Sequence, residues 1–235
     1  VNTITGIIIM KKIAIAAAAI AGFTALPAQA VTLVATNGSA AVFTQSANGA
    51  QYDFDRASTG NVGDPAGFQR IGGRVMTDSV ENVAANPFGA PAGNSYLYVS
   101  TGGTSVIRSI AAGITGYRAV SFYIGSIDWG NTVDVLDLGG NLLRSFTGAE
   151  MAAPASPNGD QDFPLNNRLL TFSADAGELI GGLRFTSSVD SLEADNVRFT
   201  AAVPEPATWA MMLVGFAMVG ATARYRRRKS NVAFA

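Results

Sequence analysis

Three hydrophobic patterns follow one another along the chain. Near the start, Ile13 to Leu26 is an apolar run rich in alanine and isoleucine, and near the end Ala207 to Ala223 is a second run without a charge. Between them, apolar residues come in short bursts separated by Gly, Asn and Ser. Within a burst they alternate with smaller or more polar neighbours, as Val120, Phe122 and Ile124 do, which is the period of a half-buried strand. The pattern predicts strands at Val31–Thr36, Ala40–Thr44, Tyr96–Ser100, Ser105–Ile110, Arg118–Ile124, Thr132–Leu138, Leu142–Thr147, Leu169–Ser173, Gly181–Thr186 and Glu193–Thr200. Gly139-Gly140 predicts a tight hairpin between two of them, because glycine accepts the positive φ that such turns need. No convincing amphipathic helix interrupts the series, and residues 56–95 and 148–166 are expected to be long loops.

Strands without helices predict an all-β chain: a single β-sandwich, jelly-roll-like, over residues 31–203. Residues 1–30 precede it, 204–229 follow it, and 230–235 form a short tail. There is no cysteine to staple the domain and no histidine anywhere in the chain. The missing imidazole excludes the usual zinc sites, haem ligation and Ser-His-Asp or Cys-His catalysis. Charge is segregated along the chain. The domain carries nine arginines, no lysine and sixteen acids, a net charge of −7, while Arg224, Arg226, Arg227, Arg228 and Lys229 crowd the end. A domain of that sign has no basic patch for phosphate backbones, so nucleic acid is not an expected partner.

The first apolar run follows Met10-Lys11-Lys12 and ends in Pro27-Ala28-Gln29-Ala30. Basic start, apolar core and the small residues Ala28 and Ala30 make a signal peptide, with signal peptidase expected to cut after Ala30. A retained N-terminal anchor is the alternative, and Val1 to Ile9 is read as an upstream extension. The second run, at about 1.5 Å per residue, covers roughly 25 Å of an apolar layer about 30 Å thick. The cations beyond it hold that side in the cytoplasm, and Trp209 sits at the outer edge. A single hydrophobic helix anchored in the inner membrane and a removable sorting signal both fit this layout.

The residues at the junction are distinctive. Pro204-Glu205-Pro206-Ala207-Thr208-Trp209-Ala210, then the apolar run, then the arginine cluster, closely resemble the PEP-CTERM sorting signal in its P-E-P-x-x-W-A variant. The resemblance implies recognition of Pro204, Glu205, Pro206, Trp209 and Ala210 by an exosortase. It further implies transient contact with the inner membrane of a Gram-negative bacterium, and delivery to the cell surface or an extracellular exopolysaccharide (biofilm) matrix. Asn231 to Ala235, trailing after the cluster, depart from the pattern. The blocks Ser121–Thr132 and Ser191–Val197 resemble segments of exosortase-dependent surface proteins, and the strand pattern is similar to carbohydrate-binding modules. Neither likeness supplies a catalytic residue, so the expected role is non-catalytic, with exopolysaccharide as the ligand. A secreted glycan hydrolase and a purely structural or adhesive component are the alternatives.

Two groups of residues carry candidate chemistry. Glu193 and Asp195 share strand parity with Val197 and Phe199, which predicts that both acids point into the core. Buried carboxylates need partners. One reading is a calcium ion held by Asp53, Asp55, Glu193 and Asp195, as resemblance to jelly-roll binding modules implies; the other is that these acids cap turns or pair with Arg198. The second group is Asp128, Trp129 and Asn131, where the domain's only tryptophan is flanked by hydrogen-bonding side chains. Either the ring is exposed as a platform for a sugar, or it folds back over the edge of the sandwich. Carboxylate pairs suited to glycoside hydrolysis arise by chance among sixteen acids, and no pair stands out. Intact mass of protein extracted from the surface should show a chain that starts at Val31 and lacks Arg224–Lys229. Retention of that cluster in all material would leave only the anchor.

Overall fold

The computed structural model describes residues 31–55, 64–81, 83–201 and 206–229. The signal-peptide region with Ala28 and Ala30, the motif residues Pro204 and Glu205, and the tail from 230 onward lie outside the described residues. The elements, in chain order, are β1 (Val31–Asn37), α1 (Ala40–Ala47), β2 (Phe68–Gly72), β3 (Arg74–Thr77), β4 (Ser95–Val99), β5 (Thr104–Ser109), β6 (Tyr117–Gly125), β7 (Asn131–Leu136), β8 (Leu142–Thr147), α2 (Gly148–Ala152), β9 (Arg168–Ala174), β10 (Gly182–Ser187), β11 (Leu192–Ala201) and α3 (Pro206–Lys229). They build a β-sandwich of two antiparallel sheets, ordered β1-β9-β6-β11-β4-β3 and β2-β5-β10-β7-β8. The all-β expectation therefore holds, and nine of the ten predicted strands form within a residue or two of their expected bounds.

The exceptions have physical causes. Ala40–Thr44, expected as a strand, opens α1 instead. Ser39 is its N-cap, its Oγ accepting from the Val42 N–H at 3.2 Å, and capping outweighs a weak alternation over five residues. The stretch 56–95, expected as loop, contains β2 and β3. Gly72 and Gly73, both at positive φ, let the chain leave one sheet at β2 and enter the other at β3. The 148–166 stretch begins with α2, closed by a capping box in which Thr147 and Glu150 satisfy one another's backbone N–H groups. The hairpin at Gly139-Gly140 forms as expected, with Gly140 at φ 82° and Asn141 N donating to Asp137 Oδ1 at 2.8 Å.

Val120, Phe122 and Ile124 of β6 pack with Phe172, Val133, Leu183 and Phe185 between the sheets, as their alternation requires. Phe122 stands edge-on to Phe185 at 5.1 Å, bringing the two sheets into contact. Strand β11 follows the same rule only after a correction. Asp195 faces Tyr123 across the ladder, but Arg198 faces Ser121, so three steps on β11 match two on β6. The extra residue is a β-bulge at Asn196, whose φ of 54° suits an asparagine. Leu192 and Ala194 before the bulge, and Val197 and Phe199 after it, all face the core. Glu193 and Asp195 consequently point to the outer face of the sheet, opposite to the sequence expectation, although both are fully buried.

What buries them is a third layer over the outer face of β6 and β11. Phe43 of α1 meets Tyr123 edge-on at 5.1 Å, and the Tyr123 hydroxyl donates to Phe88 O at 2.7 Å. Asn94 Nδ2 donates to Asp195 Oδ2 at 3.0 Å, and the Asn196 N–H donates to Asp195 Oδ1 at 2.7 Å. The Asn196 side chain then reaches Ser46 of α1 at 2.8 Å. Burial pushes the Asp195 carboxyl well above its ordinary range, the two hydrogen bonds oppose this, and Asp55 and Asp53 nearby add to it.

The strand registers also fix the two poles of the domain. Val31 faces Ala174, Ser173 faces Ala119 and Ala119 faces Thr200, so the start of β1 and the end of β11 lie at one pole. Glu193 faces Gly125 and Leu192 faces Val99 at the other. Beyond β11, α3 is a continuous helix from Pro206, a first position where a missing N–H costs little. Met211, Leu213, Phe216 and Val219 are exposed on it. Among the described residues no helix is long and apolar enough to cross a membrane, and the expectation of a spanning helix gains no support here.

Two outcomes follow from the third layer. Phe43→Ala should cost about 3–5 kcal/mol in denaturant titration, whereas Val34→Ala, on the exposed face of β1, should stay within about 0.5 kcal/mol. The raised Asp195 carboxyl binds its proton more tightly folded than unfolded. Its contribution is fully present below the ordinary range near about 4 and is lost as pH rises through the folded value. The melting temperature should therefore fall as pH rises from about 4 through the folded value, at about 2–4 °C per kcal/mol, and Asp195→Asn should flatten that slope.

Candidate functional site

The pole that carries Gly125, Leu192 and Val99 opens into a polar cleft of about 700 Å³. Loop residues 79–81 with 83–85, Ser126 with Asp128, Asn158-Gly159 with Gln161, and Asp190 with Ser191 wall it, with Tyr98 and Thr101 from the β4 end. Tyr98 lies opposite Glu193 in the ladder, on the outer face and half-buried, and gives the cleft its aromatic surface. Ser126, at φ 39°, sits in the left-handed region. Asn167 Oδ1 accepts from its N–H at 3.0 Å, and its Oγ donates to Glu193 Oε2 at 2.7 Å. Ser191 Oγ donates to Glu193 Oε1, and the Ala85 N–H also ends on this carboxylate. Burial raises the Glu193 carboxyl above its ordinary value, these three donors oppose the rise, and Asp128 adds to it.

Asp128, Trp129 and Asn131 sit together at this pole in unequal roles. Asp128 Oδ1 accepts from the Gly130 N–H at 2.6 Å and Asn131 Oδ1 accepts from the Asp128 N–H at 3.1 Å, so the two side chains build the turn. Asn131 is fully buried, donating to Ser187 Oγ and Ser191 O, and cannot touch a ligand. Asp128, nearly buried, lines the cleft; burial raises its carboxyl, the Gly130 N–H opposes this, and Asp190 raises it further. Trp129 is 66% exposed, which overturns the folded-back alternative. It follows Asp128 directly, beside Gly130, where an added Cβ would meet Val189 N at 2.6 Å. Val189 is itself exposed, and Trp129 and Val189 each adjoin in sequence an acid that lines the cleft, Asp128 and Asp190.

The four acids considered for calcium are not brought into one donor set. Glu193 is engaged by Ser126, Ser191 and Ala85, and Asp195 by Asn94 and Asn196. Asp55 Oδ1 accepts from the Ser95 N–H at 2.6 Å. Among the described residues no group of three or more acidic side chains is placed to hold a metal ion. The residues do not fit the ion; protein donors engage Glu193, Asp195 and Asp55 instead. Arg198 donates to Asn48 O, a backbone carbonyl, at 3.1 Å. Tyr98 was missed in the sequence, although its place in the Ser95–Val99 alternation, out of phase with Leu97 and Val99, marks it as outward-facing.

No curated protein matches the chain in sequence. Among solved structures, a glycoside hydrolase family 43 arabinoxylan arabinofuranohydrolase from Bacillus subtilis, in complex with cellotetraose, is 17% identical over 58% of this chain, with a TM-score of 0.34. The chain spans only 28% of that enzyme. CsCBM6-3 from Clostridium stercorarium, in complex with cellobiose, is 15% identical over 58% of this chain and 95% of its own, with a TM-score of 0.32. A mutant of CBM29-2, a family 29 carbohydrate-binding module, is 11% identical over 74% of this chain and 99% of its own, with a TM-score of 0.33. At such TM-scores these likenesses carry no argument about function. The sequence beyond the sandwich does carry one. Residues 202–228 match the PEP-CTERM protein-sorting motif, and this chain is a β-sandwich followed by that motif.

Proposed function

We propose that this chain is an exported, exosortase-processed surface protein whose sandwich binds a glycan in the cleft at its far pole without cleaving it. The sorting motif supports the route, and the cleft supports the activity. The carrying observation is a polar cleft of about 700 Å³, in the range of small-ligand sites, with Tyr98 inside it and Trp129 exposed beside it. Sugar rings pair apolar faces with hydroxyl edges. An aromatic surface among hydroxyls, amides and carboxylates answers both. The non-catalytic part of the reading rests on the two most deeply placed acids of this pole. Glu193 is sealed behind two serines, and Asp128 is tied into its own turn. A hydrolase would require two carboxyls set across the scissile bond; Glu81, Asp128 and Asp190 all line the cleft, so release of reducing ends decides between the two readings.

The cell surface or the exopolysaccharide matrix is the proposed destination, and polysaccharide is the proposed partner there. On polysaccharide-affinity gels the protein should be retarded and should release no reducing ends. Trp129→Ala should weaken retention by about 3–10-fold while leaving the melting temperature unchanged, because the ring is exposed. Reducing ends appearing with time would replace this reading with the hydrolase. Uniform lack of retention across neutral, basic and acidic polymers would replace it with a purely structural role.

A further inference from the structure

If the cleft takes a glycan, its walls also restrict which one. Ser126 and Ser191 stand at the ends of β6 and β11, and both line the cleft. Both hydroxyls donate their protons away from it, onto the two oxygens of Glu193. A serine hydroxyl has one proton and two lone pairs. With the proton engaged, each serine has only acceptor capacity left for a ligand. Glu193 never touches the cleft; it is fully buried and acts through the two serines.

The charged groups lining the cleft have the same bias. Glu81, Asp128 and Asp190 are carboxylates, and none of the described lining residues is lysine or arginine. Asp190 raises the Asp128 carboxyl, so these two acids feel one another's charge in the site. The neutral donors are the Tyr98 and Ser79 hydroxyls and the Asn158 and Gln161 amides, while the Thr101 hydroxyl donates to Asp190 O at 3.0 Å. Such a surface satisfies ligand O–H and N–H groups and repels anions.

We propose that the cleft selects glycans that are rich in hydrogen-bond donors and carry no negative charge, with amine-bearing sugars ahead of neutral ones. Glu193 is the positioning residue that sets this preference by holding Ser126 and Ser191 as acceptors. The proposal rests on the glycan reading above and adds the ligand class to it. It excludes uronate-rich and sulfated polymers as the natural target.

The test measures binding of the full chain, in mild detergent, to three soluble polymers: chitosan, hydroxyethylcellulose and polygalacturonate. Chitosan should bind at least about tenfold more tightly than polygalacturonate at low salt, with hydroxyethylcellulose between them. Added salt should narrow the gap between chitosan and hydroxyethylcellulose, because screening acts on the charged part alone. Asp190→Asn, at an exposed position, should narrow the same gap without loss of stability. Glu193→Gln places an amide donor against one serine and frees that hydroxyl proton for the cleft. It should lower the chitosan-to-polygalacturonate ratio, whereas a merely structural change would weaken all three polymers together. Polygalacturonate binding as well as chitosan, or a ratio unmoved by Asp190→Asn, overturns the ligand class while the glycan reading stands. Silence from all three polymers overturns the glycan reading and this proposal with it.

Discussion

One extra residue in β11 organises much of the molecule. Asn196 shifts the ladder by a step, so that Leu192 and Ala194 on one side of it, and Val197 and Phe199 on the other, reach the same core. The same shift turns Glu193 and Asp195 outward. A carboxylate under an apolar lid would be costly, so whatever covers this face has to bring donors with it. The cover does. Asn94, Ser126, Ser191 and the backbone N–H groups of Ala85 and Asn196 are aimed at the two acids, while Phe43 packs on Tyr123 beside them. The bulge, the third layer and one wall of the cleft are therefore a single connected arrangement.

What could be read from the sequence follows from which forces act locally. Alternation exposed the central strands, because Val120, Phe122 and Ile124 obey a period of two that burial between the sheets enforces. It failed for β2 and β3, which are short, sit at sheet edges and meet at two glycines that look like plain loop. It misled at Ala40–Thr44, where the informative residue was Ser39, one position earlier. Parity counting placed Glu193 and Asp195 correctly relative to each other but on the wrong face, because nothing in Asp195-Asn196-Val197 announces a bulge. The Asp128-Trp129-Asn131 segment lies at the start of β7, a strand end as the pattern placed it. Its division of labour depends on hydrogen bonds to residues as distant as Ser187 and Ser191, which no local pattern contains.

Charge is distributed as unevenly in space as along the chain. Arg184 pairs with Asp134 at 2.6 Å on the other sheet, and Arg144 meets Glu150 at 3.5 Å at the β8–α2 corner. Arg168 is turned inward, donating to Met151 O, Ala153 O and Asn37 Oδ1, where it ties the α2 turn to the first sheet. These arginines are engaged away from the cleft. Three acids of this net −7 domain, Glu81, Asp128 and Asp190, line the opening at one pole, and that local field matters more for a ligand than the near-neutral total of the whole chain.

The two poles give this arrangement a direction. The start of β1 and the end of β11 leave the sandwich at the same pole, with β9 and β6 between them, and the cleft lies at the opposite end of β6 and β11, about 27 Å away along a nine-residue strand. Any tether at either end of the domain, whether a leader still attached to Val31 or a sorting segment following Ala201, would hold it by the same end. The cleft would then lie at the end of the sandwich farther from the point of attachment. Removing one tether would leave the other holding the same end, so the cleft would keep that distance whichever of the two remained.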